Sequence, residues 1–188
     1  MSFSYVVSGT LCYDYFFSDQ SMDGINAIHL AAMFHAKSLM IIIRLLRSLE
    51  LLEPMKDIFE ACDPHRNQTP LHFSIRCYNS MSSTLLLICG VDIEARDIQG
   101  YTALHEASKK GSEGHIVNLV EYGANPNACS DIPSMSFNKI YMHYKSPLQR
   151  ARNHKTVQLL LKSGADPNSR MVQAKLYISS TINTGIHN

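Results

Sequence analysis

The side chains in this sequence that are best suited to bind a metal or act as nucleophiles are nine histidines and five cysteines. Imidazole and thiolate groups bind zinc when they recur at short, fixed spacings, and a thiolate beside an imidazole can serve as a nucleophile. Neither arrangement is visible, because no two cysteines have a CxxC spacing and the histidines do not follow the spacing of zinc sites. The sequence therefore predicts no metal site.

Motifs that position a phosphate or an activated serine are also missing from the sequence. A GxGxxG or GxxxxGK[ST] segment would cradle phosphates on backbone N–H groups, and a GxSxG turn would expose a nucleophilic serine. None of these motifs occurs in the 188 residues. We therefore expect no catalytic residue, no cofactor and no enzymatic activity.

The composition limits the compartment and the partners. The five cysteines are odd in number and lack the dense pattern of a secreted disulfide framework, so we expect free thiols in the cytoplasm, with the nucleus possible. The net charge is +1, which gives no electrostatic reason to expect a nucleic acid partner. The most apolar run, 39–46, contains Arg44 and is far below the ~20 residues that span a bilayer, so we expect no membrane insertion of this chain.

Four segments of the chain share an opening pattern. They read NAIHLAA at 26–32, TPLHFSI at 69–75, TALHEAS at 102–108 and, more weakly, SPLQRA at 146–151. A closing pattern reads GVDIE at 90–94, GANPN at 123–127 and GADPN at 164–168. In the middle of the chain both patterns recur after 33 residues, from Thr69 to Thr102 and from Gly90 to Gly123. Two patterns that recur together at a matched offset indicate an internal repeat.

The residues of both patterns suit the ends of helices. A hydroxyl at Thr69 or Thr102 can accept a hydrogen bond from a free backbone N–H one turn on, so each can cap a first helix. Pro70 then fits the first helical position. Glycines such as Gly90 and Gly123 favour the left-handed backbone that ends a second helix. Each repeat is therefore predicted to be a pair of helices whose core forms only when neighbouring pairs stack.

The two patterns together resemble the ankyrin repeat, with its T-P-L-H-x-A opening and its G-A-D-x-N close. The resemblance implies an all-α ankyrin-repeat solenoid of about four repeats, and it covers residues 20–170. The approximate repeats are 21–62, 63–96, 97–129 and 130–170. Segments 1–19 and 171–188 match nothing and are left unassigned, the second as a flexible tail. Histidines of the opening pattern are expected to tie one repeat to the next by hydrogen bonds to the backbone.

The first and fourth repeats depart from the pattern. The distance from Asn26 to Thr69 is 43 residues, ten more than usual, so we expect an extended or extra helical turn there. The third and fourth openings are 44 residues apart, and the surplus at 130–145 falls in the hairpin between repeats, as a contact surface or a disordered insert. The fourth repeat is three residues short between its anchors, so its first helix is expected to be clipped, and Gln149 replaces the usual histidine.

The resemblance implies a non-catalytic adaptor or scaffold, a monomer that binds a protein partner through its concave groove and hairpin tips. Carried over position by position, the partner-binding residues are Met33, Phe34, His65, Arg66, Gln68, Arg76, Cys77, Ile98, Gln99, Tyr101, Lys109 and Lys110. The alternative is a cytosolic ankyrin fragment of a larger membrane protein, such as a transient receptor potential-type ion channel. In that case the chain would be membrane-associated.

Overall fold

The structure is a computed structural model that describes residues 25–51, 56–136 and 139–168, with the backbone alone for 131–144. The described elements in chain order are α1 (Ala27–Phe34), α2 (Ala36–Ser48), α3 (Lys56–Glu60), α4 (Pro70–Arg76), α5 (Ser80–Ile88), α6 (Ala103–Lys110), α7 (Glu113–Glu121), β1 (Ser130–Ser136), β2 (Lys139–Lys145), α8 (Pro147–Arg150) and α9 (His154–Lys162). The predicted flanking segments 1–19 and 171–188 lie outside the described residues.

The helices form four pairs that stack in sequence order. The pairs are α1 with α2, α4 with α5, α6 with α7, and α8 with α9. The first helices contact one another along the stack, α1 on α4, α4 on α6 and α6 on α8, and the second helices do the same, α2 on α5, α5 on α7 and α7 on α9. The predicted solenoid of about four stacked helix pairs is confirmed.

The helices begin and end at the residues that the two patterns predicted. Thr69 and Thr102 are the N-cap residues of α4 and α6, with extended backbone at φ −80° and −83°. Pro70 is the first residue of α4. A backbone N–H at that position has no acceptor within the helix, so proline loses no hydrogen bond there. Gly90 and Gly123 follow α5 and α7 with φ of 71° and 94°, a left-handed conformation that favours glycine.

A histidine joins each of the first three repeats to the next. Each ring donates a hydrogen bond from Nε2 to the backbone carbonyl oxygen of the residue just before the next repeat's N-cap, since a carbonyl can only accept. The pairs are His29 with Gln68 at 3.1 Å, His72 with Tyr101 at 3.1 Å, and His105 with Lys145 at 2.8 Å. The predicted backbone ties between repeats are confirmed.

The other ring nitrogen fixes the cap of the same helix. Nδ1 of His72 accepts from the backbone N–H of Thr69 at 3.3 Å and lies 3.0 Å from its hydroxyl. His105 repeats the arrangement with Thr102, at 3.1 Å and 2.9 Å. Burial lowers the pKa of His72, and it lowers that of His105 to about 4. Both rings are therefore neutral at physiological pH, with the proton on Nε2.

The apolar core is one continuous layer between the first and second helices. It contains a fully buried leucine or isoleucine from each second helix, and alanines where the helices approach closely. Its members include Leu39, Leu86, Ile116 and Leu160 from the second helices and Ala32, Ala103 and Ala107 from the first. No single pair could bury these faces, so stacking supplies the hydrophobic stabilisation.

The surplus residues of the first repeat form additional helix. Helix α2 has 13 residues, whereas α5, α7 and α9 have nine each. Helix α3 adds a further five residues and buries Phe59. The predicted extra helical turn is confirmed.

The surplus before the fourth repeat forms a pair of strands that the sequence analysis did not predict. Strands β1 and β2 pair antiparallel from Ser130 with Lys145 to Ser136 with Lys139. The hydroxyl of Ser130 donates to the Lys145 carbonyl at 3.2 Å, which closes the base of the hairpin. The chain therefore returns to the position where the fourth repeat begins.

The first helix of the fourth repeat is clipped, as predicted. Helix α8 has four residues, from Pro147 to Arg150. The side-chain carbonyl of Gln149 accepts from the backbone N–H of Ser146 at 3.2 Å, so it supplies the bond that Nδ1 of histidine supplies elsewhere. Within the described residues, which end at 168, this repeat caps its helix and Gln149 makes no tie to a following repeat.

Candidate protein-interaction surface

Four of the residues predicted to face a partner are buried instead. Met33, Gln68, Arg76 and Tyr101 have 3–7% of their surface exposed. The prediction took exposure from the family position alone, but the stack buries all four side chains, on the first helices as well as at the hairpin tips. They support the surface from beneath, and their expected exposure is wrong.

The other predicted residues remain accessible. Phe34, His65, Arg66, Ile98, Gln99 and Lys109 are exposed, and Cys77 and Lys110 are half-buried. Ile98, at the tip between the second and third repeats, is 66% exposed, which is unusual for an isoleucine. Its backbone N–H donates to the Arg66 carbonyl at 2.7 Å, so neighbouring tips are joined and their side chains are held in fixed relation. Whether these residues bind a partner stays a prediction.

Beneath the tips, Arg76 ties the hairpin to the first helix of the second repeat. Its guanidinium donates to the side-chain carbonyl of Gln68 and lies 5.9 Å from the centre of the Phe73 ring. A buried guanidinium needs such partners, because its charge cannot be neutralised at physiological pH.

A second buried cluster joins the third and fourth repeats. The guanidinium of Arg150 lies 3.7 Å above the Tyr101 ring and 3.5 Å from a carboxylate oxygen of Glu106. The side chains of Arg150 and Glu106 are each 11% exposed, so water screens the pair weakly. Sequence reasoning missed this cluster because its members come from two repeats, and Glu106 and Arg150 were not among the positions carried over from the family.

Tyr78 is a surface residue that the sequence analysis also missed. It follows α4 with φ of 55° and is 56% exposed. The backbone N–H of Tyr78 donates to Ile75 O at 3.1 Å, and that of Asn79 donates to Ser74 O at 2.8 Å, which is the bonding of a Schellman helix end. The same place in the next repeat is Gly111, 33 residues on, and that offset is the signal that could have revealed Tyr78.

Lys110 fixes the ring of Tyr78 across the boundary between two repeats. Its ammonium nitrogen lies 4.7 Å from the centre of the Tyr78 ring and donates to the Arg76 carbonyl at 2.9 Å. That carbonyl belongs to the last residue of α4, where the helix dipole favours a positive charge. The lysine is therefore held in one position at the surface.

Charge is distributed unevenly along the edge where first helices turn into second helices, which we call the turn edge. It comprises residues 33–39, 75–82, 108–116 and 149–157, and these include seven lysines or arginines and a single carboxylate, Glu113. Glu113 lies 3.8 Å from Lys155. A chain with a net charge of +1 thus carries one distinctly basic edge.

Two other kinds of site are not found in the described part of the chain. No group of three or more histidine, cysteine or acidic residues is placed to hold a metal ion there. The described helices also include none with the length and apolar content needed to cross a membrane. Cys62 and Cys89 are free thiols.

Comparison with known families agrees with the geometry. The family model for ankyrin repeats in three copies matches residues 28–130, and the model for a single ankyrin repeat matches residues 143–171. The first match alone covers more than half of the chain.

Known relatives and a solved structure are similar over most of this chain. NF-kappa-B inhibitor alpha of Homo sapiens is 28% identical over 150 residues, which are 79% of this chain and 44% of that protein. B-cell lymphoma 3 protein homolog of Mus musculus is 32% identical over 135 residues, 67% of this chain and 27% of that protein. This chain therefore spans less than half the length of either relative.

The solved ankyrin repeat domain of Bcl-3, described as a unique member of the IkappaB protein family, has a TM-score of 0.58 and 27% identity. The match covers 74% of this chain and 52% of that one. The stacked helix pairs, the histidine ties and the family matches lead to the same conclusion. The chain belongs to the ankyrin-repeat family.

Proposed function

We propose that this protein is a non-catalytic adaptor or scaffold that binds a protein partner on one face. That face, which we call the front surface, comprises the hairpin tips, the exposed side of the first helices and the turn edge. The observation that carries the proposal is the histidine tie between successive repeats, because it holds side chains from different repeats in fixed relation. A preorganised surface loses less entropy on association than a flexible one.

The residues available for contact are those that the stack leaves exposed. Phe34 and Ile98 offer apolar surface, and Arg66 and Lys109 offer charge beside it. Aromatic and arginine side chains are enriched in protein interfaces. The similarity to NF-kappa-B inhibitor alpha, by its name an inhibitor of another protein, supports a regulatory protein partner.

Site-specific photo-crosslinking in cells tests the proposal. A photoreactive phenylalanine analogue is placed at Ile98 or Lys109 on the front surface, and in matched variants at Val117 or Leu161, which are exposed on the second helices. We expect the front positions to crosslink to a discrete set of proteins and the second-helix positions to give none of that set. Mass spectrometry of the crosslinked products reads the result.

Equal crosslinking from both faces would contradict the proposal, and so would an absence of protein adducts at the front positions. Thermal melts of the four variants show that each retains the fold, because all four positions are exposed and carry none of the core packing.

A further inference from the structure

The second repeat holds an exposed aromatic ring at a backbone position that disfavours it. Tyr78 has φ of 55°, whereas Gly111 occupies the equivalent place in the third repeat with φ of 68°. A side chain at such a position is strained, since Cβ approaches the following carbonyl oxygen. Unfavourable backbone at an exposed residue is a feature of binding and active sites, where the surroundings hold it in place.

The ring and the neighbouring lysine are arranged to receive an acidic group. The Lys110 ammonium has three N–H donors, and the Arg76 carbonyl accepts one of them. The ammonium nitrogen lies 4.7 Å from the centre of the Tyr78 ring, which is 56% exposed, so the remaining donors lie beside an accessible aromatic ring. A carboxylate placed there would form charge-assisted hydrogen bonds with a cation whose position is already fixed.

Further cations extend this position along the turn edge. Lys109 adjoins Lys110 in sequence and is exposed. Arg152 is exposed on the next repeat, beside Asn153, whose side-chain nitrogen lies 2.5 Å from the place a Cβ would take at Gly111. The exposed cations therefore continue from the third repeat, where Lys110 contacts Tyr78 of the second, to the fourth.

We propose that Tyr78, Lys109, Lys110 and Arg152 bind an acidic, extended segment of the partner protein. Its carboxylates pair with the three cations, and an apolar side chain of the segment lies against the Tyr78 ring. The inference rests on the proposed function and names the chemistry of its partner. A peptide is favoured over a nucleic acid because tight phosphate binding draws on about six to ten contacts, and the turn edge offers fewer exposed cations.

The distance between stacked helices sets the length of a suitable peptide probe. Stacked helices lie about 10 Å apart, and an extended chain rises about 3.3 Å per residue. A peptide of about twelve residues therefore reaches from the second repeat past the fourth. The probe is a fluorescein-labelled peptide of that length, rich in aspartate and glutamate with one central phenylalanine.

Fluorescence anisotropy with the full chain at low salt measures the binding. We expect the acidic peptide to bind, and the same peptide with asparagine and glutamine in place of its acids to bind at least about tenfold more weakly. The double variant Lys109→Glu, Arg152→Glu should weaken binding of the acidic peptide by about tenfold or more. The matched double variant Arg44→Glu, Lys162→Glu reverses two exposed charges on second helices and should change the affinity by less than about twofold.

Tyr78→Gly separates binding from folding. Glycine suits the left-handed backbone, so the thermal midpoint should be unchanged or higher, while the affinity for the acidic peptide falls by at least about threefold. A merely structural tyrosine would give the opposite pattern, a lower midpoint with unchanged affinity, and that result would overturn the proposal.

Two further results would overturn it. The first is equal weakening by both charge-reversal doubles, which would show that only net charge matters. The second is tighter binding of an oligothymidylate of matched charge, which would make the turn edge a nucleic acid site. Front-surface crosslinking to proteins without affinity for the acidic peptide would refute this inference and leave the proposed function standing.

Discussion

The buried histidines make folding stability depend on pH. Burial lowers the pKa of His29 and His72, and that of His105 to about 4, whereas histidine in an unfolded chain titrates near 6.5. Between these values the unfolded state binds protons that the folded state does not. The histidines' contribution to the free energy of unfolding is therefore fully present above about pH 6.5 and is lost as the pH drops towards 4. His105 alone should account for a loss of about 3 kcal/mol between pH 7.5 and 4. Urea unfolding followed by circular dichroism measures the change.

Gln149 suggests a matched control for this prediction, because it caps its own helix with a group that does not titrate. His105→Gln should lower the free energy of unfolding at pH 7.5, since the amide fits the Lys145 carbonyl less well. It should also flatten the fall of stability between pH 6.5 and 4. An unchanged slope in this variant would show that carboxylates, rather than His105, dominate the acid sensitivity.

The joint between α6 and α9 depends on a glycine. A Cβ at Gly111 would lie 2.5 Å from Nδ2 of Asn153, whose Oδ1 caps α9 by accepting from the Thr156 N–H at 2.7 Å. Gly111→Ala should therefore cost about 2 kcal/mol, combining left-handed strain with a disturbed cap. At Gly90, φ is 71° and a Cβ would meet nothing within 4 Å, so Gly90→Ala should cost only about 1 kcal/mol. Equal losses in chemical denaturation would exclude the contact with Asn153 as a cause.

How far the sequence predicts these elements depends on where their contacts come from. The starts of α4 and α6 were predictable because Thr69 and Thr102 cap helices through local bonds. Strands β1 and β2 were not, since β1 is rich in serine and contains Pro133, and such residues favour turns or edge strands. At the surface, the exposure of Ile98 at a hairpin tip followed from the pattern. The burial of Tyr101 and Arg76 did not, because contacts between helix, hairpin and neighbouring repeat decide it.

In the whole array each repeat is stabilised by its neighbours, so the ends open most readily. The fourth repeat has a four-residue first helix and is joined to the third by Arg150 through Glu106 and Tyr101. Arg150→Met leaves Glu106 without its cation and should lower the opening free energy of α9 by about 1 to 2 kcal/mol. Hydrogen exchange should then quicken in α9 and not in α5.

Arg152→Met is the comparison for that experiment, because Arg152 lies in the same turn and is exposed. It should leave exchange in α9 unchanged. If exchange quickens equally in α5 and α9 of the Arg150 variant, the array unfolds as one unit and the fourth repeat is not an independent end.

Every histidine tie is made to a main-chain oxygen, and all residue types carry that atom. The acceptor lies 29 residues from His72 but 39 from His29 and 40 from His105. Ten or eleven additional residues have thus been accommodated twice without loss of the linkage, wherever the chain returns to the same point. The histidine tie is therefore compatible with excursions of different length, and the base of the hairpin at 130–145, closed by Ser130 and Lys145, is a natural grafting point for a foreign recognition loop.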